Sequence, residues 1–307
     1  MQSIPPTMLL ITTDAILRNY IPNVFSTVTG ETAFFDKLLP HLIIAESWLE
    51  TTFVSSSTMS TIAAYSDDNE LKVLARSIVA ADAFARAVPS LDLVLTPNGF
   101  GIVSNQNVAP ASKERVERLI RSLTDTRDVY LERFLPKLIG VPGWKASPNG
   151  SFFAATLFPH FDLVRMVEAE MPVGVLPKAT ASLWDRYLAL RSRLLLVEQD
   201  FMDNFISPEQ MEVFRGEVIE ETFAHPSHEL TVGRLRALAI RRLQDMALTN
   251  ADVSLKPSDA QIRTLTYIVD YMRKRPEDFP EWHASATARL FDPPVFENKK
   301  ESGGFWF

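Results

Sequence analysis

Four side chains of metal-ligand type fall within nine residues, where Glu220 and Glu221 precede His225-Pro226-Ser227-His228. Zinc takes imidazole nitrogens and carboxylate oxygens at set spacings, so this run suits a metal-dependent enzyme built on His225, His228 and Glu221. Pro226, however, interrupts the helical geometry that would bring both rings to one face, and no further ligand is fixed by spacing. The expected state is a solvated loop after a helix end, with no metal bound. Carboxylates also gather at Glu168/Glu170 and at Glu217/Glu220/Glu221. A di-iron bundle needs Glu-x-x-His on two helices; the chain has none, and Glu221 to His225 is one residue too long.

Other catalytic signatures are absent from the sequence. There is no Gly-x-Gly-x-x-Gly, no phosphate-loop Gly-Lys-Ser/Thr and no Gly-x-Ser-x-Gly. Zero cysteines remove a thiol nucleophile, a thiolate zinc site and any disulfide. The expectation is a non-enzymatic chain without cofactor. Its formal charge of −7 opposes general nucleic-acid binding, although Arg234, Arg236, Arg241 and Arg242 share one helix. That helix, at 231–248, keeps a regulatory protein binding DNA or an acidic partner in view.

The elements are read from periodicity. Leu71, Leu74, Ile78, Ala81 and Phe84 recur every three or four residues, as do Val116, Leu119, Ile120, Leu123 and Phe134-Leu135 after Ser112. Similar stripes place helices near 31–53, 154–170, 178–206, 208–222, 231–248 and 258–274. Leu91 to Leu95 and Gly101 to Ser104 flank Thr96-Pro97-Asn98-Gly99, which suits a turn, so a small β-hairpin is expected at 91–104. The fold class is all-α with that one hairpin. No apolar run approaches the roughly 18 residues that cross a bilayer, and the first residues lack the basic start of a secretory signal. No membrane partner is expected, and the chain is expected to stay where it is made.

A weak repeat runs through the chain. Glu46, Phe53, Ser55 and Met59 recur 152 residues later as Glu198, Phe205, Ser207 and Met211, and Leu38 and Leu42 as Leu190 and Leu194. Asp92 to Pro97 resembles Asp252 to Pro257 at an offset of 160. The paired Glu46 and Glu198 are read as structural, capping or bridging helices. Helix breakers concentrate between Gly140 and Ser151. The expected organisation is therefore an N-terminal helical half at 1–140, a linker at 141–151, a C-terminal helical half at 152–291 and an extended arm at 292–307. The arm ends in Phe305-Trp306-Phe307 after Gly303-Gly304, and such exposed aromatics usually mark a docking site.

The stretch Leu95-Thr96-Pro97-Asn98-Gly99-Phe100-Gly101-Ile102 through Ala109-Pro110-Ala111-Ser112-Lys113-Glu114-Arg115 resembles a family of structural proteins of phages and prophages of Bacteroides-type bacteria. Phe296-Glu297-Asn298-Lys299-Lys300 with its glycine–aromatic ending is similar too. The resemblance implies a virion component assembled in the host cytoplasm, and a head–tail connector in particular. Such adaptors form rings between the portal and the tail; tail-completion and minor head proteins share the composition. Partner contacts are then expected at Phe296, Phe305, Trp306 and Phe307 and at the hairpin tip, Asn98, Gly99 and Phe100. Neighbours would be copies of the chain, the portal and neck proteins, with DNA passing transiently through an acidic conduit.

Overall fold

The computed structural model describes residues 10–21, 33–91, 93–96, 99–102, 112–172, 181–249 and 256–292, with the backbone alone for the two short segments between 93 and 102. A short helix, α1 (Asp14–Arg18), starts under the Thr13 side chain, which accepts the Ile16 N–H. It leads to α2 (Phe34–Leu49), whose buried Leu38, Leu39, Leu42, Ala45 and Leu49 form one apolar stripe. After α2 the chain widens into a π-helical turn over Glu50–Val54 and enters α3 (Ser56–Ala64). Asn69 caps α4 (Glu70–Ala87), a helix buried on nearly every side. Two short strands, β1 (Leu93–Thr96) and β2 (Gly99–Ile102), pair antiparallel with Leu93 opposite Ile102. The long α5 (Lys113–Leu138) then packs along α4.

The first unit closes with α6 (Pro148–Ala154), capped by Ser147, and the second opens before α7 (Asp162–Glu168). Next come α8 (Leu183–Phe201), a second π-helical turn over Met202–Ile206, α9 (Pro208–Glu220) and α10 (Pro226–Thr249). A capping box of Ser258 and Gln261 starts α11 (Asp259–Arg273), and α12 (Pro280–Ala284) and α13 (Ala286–Arg289) follow. The architecture is all-α, with the β1–β2 ribbon as its one sheet among the described residues. The helix expected across 154–170 is broken. The Leu157 N–H donates to Glu198 and the Phe158 N–H to Thr156, so side chains replace the helical acceptors there.

The two halves repeat the same construction. Both π-helical turns end on a serine with positive φ, Ser55 (φ 80°, ψ 153°) and Ser207 (φ 75°, ψ 149°). One turn before each, a buried glutamate accepts a distant backbone N–H: Glu46 from Leu10 at 3.2 Å and Glu198 from Leu157 at 2.8 Å. A buried indole then closes each unit. Trp144 donates to the Phe53 carbonyl at 2.7 Å, and Trp282 to the Phe205 carbonyl at 2.9 Å. Ser147 and Ser285, three residues on, each donate to their tryptophan's carbonyl at 2.6 Å. Phe153 and Phe291 complete the triads, 6.1 Å from Trp144 and 6.4 Å from Trp282. From Leu123/Gln261 through Leu131/Val269, Phe134/Met272 and Val141/Phe279 to Trp144/Trp282, buried positions match at a constant 138 residues.

The segment 141–151 is packed and does not act as a linker. Gly143 takes a positive φ of 80°, which turns the chain so that Trp144, 1% exposed, enters the core. At Gly150 a Cβ would lie 2.1 Å from the Trp144 carbonyl oxygen, so only glycine fits that approach. Asn149 donates back to the Glu50 and Thr51 carbonyls. One continuous apolar cluster runs from Leu10 to Ala288, and the halves share it. Phe53, Phe153, Phe161, Trp184 and Tyr187 meet at their seam, with Trp184 4.8 Å from Phe53 and 5.9 Å from Tyr187.

Candidate functional site

A cleft of about 410 Å³ lies where the halves meet, between the second half of α5 and the start of α7. It is lined by Glu132, Arg133, His160, Asp162 and Arg165, over an apolar floor that includes Leu135 and Phe161. The spacing of α5 places Val129, Glu132, Arg133 and Pro136 on one side, because residues three and four apart share a face. His160 arrives from the non-helical stretch that Glu198 holds open, just before α7.

The electrostatics of the cleft follow from burial. Glu132 is pushed above the ordinary carboxylate range by desolvation, against the pull of its partner Arg165. Asp162 pairs with Arg236 of α10. The His160 side chain is 24% exposed, both its ring nitrogens lack a hydrogen-bond partner, and burial lowers its pKa below the usual imidazole value. The site thus combines an imidazole that burial biases toward its neutral form, a carboxyl that holds its proton more tightly than usual and arginines already engaged by carboxylates. Such groups can hydrogen-bond a polar ligand or exchange a proton with it.

The histidine pair expected at 225–228 is arranged differently from either reading of the sequence. His228 is buried, not solvated: its Nδ1 faces both Glu217 carboxylate oxygens at 2.9 Å, and its Nε2 faces the Asp278 carbonyl at 2.5 Å. It ties α9 and α10 to the turn before α12. Glu221, at the left-handed end of α9 (φ 53°), lies 3.9 Å from His160, on a different histidine from the expected pair. Among the described residues no group of three or more His, Cys, Asp or Glu side chains is placed to hold a metal.

The basic helix is likewise engaged. Arg242 pairs with Asp200, Arg236 with Asp162 and Arg241 with Asp245, while Arg234 lies over the Tyr267 ring at 4.7 Å. Glu198 is fully buried, pushed above the ordinary range by desolvation, and Arg215 at 2.6 Å offsets that. A comparable buried cluster, Asp82–Arg127–Asp128, joins α4, α5 and the start of α8: Arg127 meets both carboxylates, at 2.8 and 2.7 Å, and Asp128 accepts the Leu183 N–H at 2.7 Å. The expected contact residues Asn98, Phe296, Phe305, Trp306 and Phe307 lie outside the described residues, and Gly99 and Phe100 are described only as backbone of β2. Sequence reasoning missed His160 and Asp278, which carry no spacing signal because their partners come from other elements.

Residues 22–154 match a family of unknown function, DUF6712, and that span covers the first of the two repeated units from α2 to α6. No curated protein and no solved structure matches the chain. Among the described residues no helix is long and apolar enough to cross a membrane.

Proposed function

We propose that this chain is a non-enzymatic structural subunit of a phage particle, a head–tail connector whose copies assemble into a ring beneath the portal. The likeness of residues 95–115 and 296–307 to phage structural proteins carries the reading. The geometry supports it in one respect: the buried polar groups, Glu46, Arg127, Glu198 and His228, all join one helix or segment to another and build a rigid scaffold. Rigid, repeated helical units suit a subunit that must keep its shape while meeting several neighbours. A net charge of −7 suits a conduit through which DNA passes without sticking.

Light scattering on the purified chain, alone and mixed with a portal, tests the proposal. A ring, or a stoichiometric complex with the portal, is the expected result. Deleting residues 303–307 is expected to leave thermal stability unchanged and to abolish assembly. A monomer indifferent to every portal offered, or a deletion that lowers the melting temperature sharply, overturns this reading.

A further inference from the structure

The match at 138 residues pairs α5 from Arg121 onward with α11, and α6 with α13 and the residues just after it. The surface by which the first half holds the second uses three such positions. Asp128 accepts the Leu183 N–H, and Glu132 pairs with Arg165 in the last turn of α7. Phe152 sits 6.1 Å from Trp184 and 3.7 Å beneath the Arg191 guanidinium. Their counterparts in the second half are Thr266, Asp270 and Leu290. Leu290 is 70% exposed, and Tyr267 beside Thr266 is 55% exposed, the two most exposed large apolar side chains among the described residues. Asp270 is exposed too. Thr266, Asp270 and Leu290 are thus uncovered where Asp128, Glu132 and Phe152 are covered, while Tyr267 matches Val129, itself 54% exposed at the rim of the cleft.

What that surface fits is given by a second stretch of the repeat, in which the buried positions Leu10/Leu157, Ile11/Phe158 and Leu17/Val164 match at 147 residues. Within the chain its occupant is α7 with the start of α8; the counterparts of these elements are α1 with the start of α2. Arg18, in the last turn of α1, 49% exposed and paired with Asp14 at 2.6 Å, takes the place of Arg165 and carries a positive charge that could face Asp270. We infer that the Tyr267–Asp270–Leu290 face binds the α1–α2 face of a second copy of this chain, so that the contact between halves recurs between molecules. A heterologous contact of this kind closes into a ring or runs on as a filament. The inference deepens the connector reading and rests on its assumption that copies assemble with one another.

Sedimentation velocity over a concentration series tests it, with portal binding measured in parallel. The wild type is expected to self-associate, and Tyr267→Glu/Leu290→Glu to raise the dissociation constant at least tenfold with an unchanged circular-dichroism melt. Asp270→Arg is expected to weaken association, and adding Arg18→Asp to restore it; this rescue decides the matter even if the double glutamate variant folds poorly. A wild type that stays monomeric, or association untouched by these substitutions, overturns the inference. Portal binding by such a monomer would leave the connector reading standing. Self-association through this face into open filaments, with neither a ring nor any portal binding, would do the reverse.

Discussion

Ser55 and Ser207 hold φ near +80° with extended ψ, a region that costs a non-glycine residue about 1–3 kcal/mol. Replacing either by glycine removes that cost. Against it stand about 0.5–1 kcal/mol for the greater freedom of glycine in the unfolded chain, and a few tenths for the lost cap at Ser207, whose Oγ accepts the Gln210 N–H at 3.3 Å. The net expectation for Ser207→Gly is a gain of about 1 kcal/mol. Ser207→Ala keeps the strained backbone and loses the hydroxyl, so it is expected to cost about 1 kcal/mol. Ser55→Gly gains slightly more, because the Ser55 hydroxyl donates only to Thr58 and makes no cap. Urea unfolding reads these differences as midpoint shifts of about 0.3 M at constant slope. Since the serines lie in separate halves with separate partners, the double glycine variant should add the two gains. Glycine variants less stable than wild type at both sites, or glycine and alanine variants of equal stability, would refute the reasoning.

Trp144→Phe and Trp282→Phe each remove an indole donor from a buried carbonyl, Phe53 O or Phe205 O. Each is expected to cost about 2 kcal/mol in denaturant unfolding, and a near-equal loss at the two sites checks that the triads are equivalent. His160 bears on pH. Its folded pKa lies below the ordinary 6.5 because burial opposes the charged ring; the unfolded chain therefore binds the extra proton first. Its contribution is complete above pH 6.5 and is lost as pH falls from there through the folded pKa. Subtracting the stability–pH curve of His160→Phe from that of the wild type should leave this slope alone, and a flat difference between pH 5 and 7 would contradict it.

How far the sequence could be read depended on whether a signal was local. Helical stripes such as Leu71, Leu74 and Ile78 are local, and they became α4 with little change. The repeat was legible in Glu46/Glu198 and Ser55/Ser207 because no insertion separates those pairs from one another. The tryptophans escaped notice because they recur at 138 residues, not 152. The extra chain between α4 and α5 in the first half shifts the register. Breaker residues at 140–151 read as a linker, yet glycine there serves a close approach of Trp144 to the Phe53 carbonyl, a contact 91 residues apart. His228 looked solvated for a similar reason: its two partners, Glu217 and Asp278, lie on either side of it in sequence and meet only in the folded chain. The cleft around His160 is wholly tertiary, formed by elements from both halves.

The extra chain in the first half builds β1, β2 and the opening two turns of α5, where Lys113, Glu114, Arg115, Glu117 and Arg118 are exposed. The α11 helix begins at Asp259, opposite Arg121, so it lacks those two turns. The two lobes of the chain are thus alike in scaffold and unlike in ornament. In any closed array of copies, lobes would be twice as numerous as these ornaments. An averaged electron micrograph taken down the axis would show alternating decoration, and its rotational symmetry would count chains and not lobes.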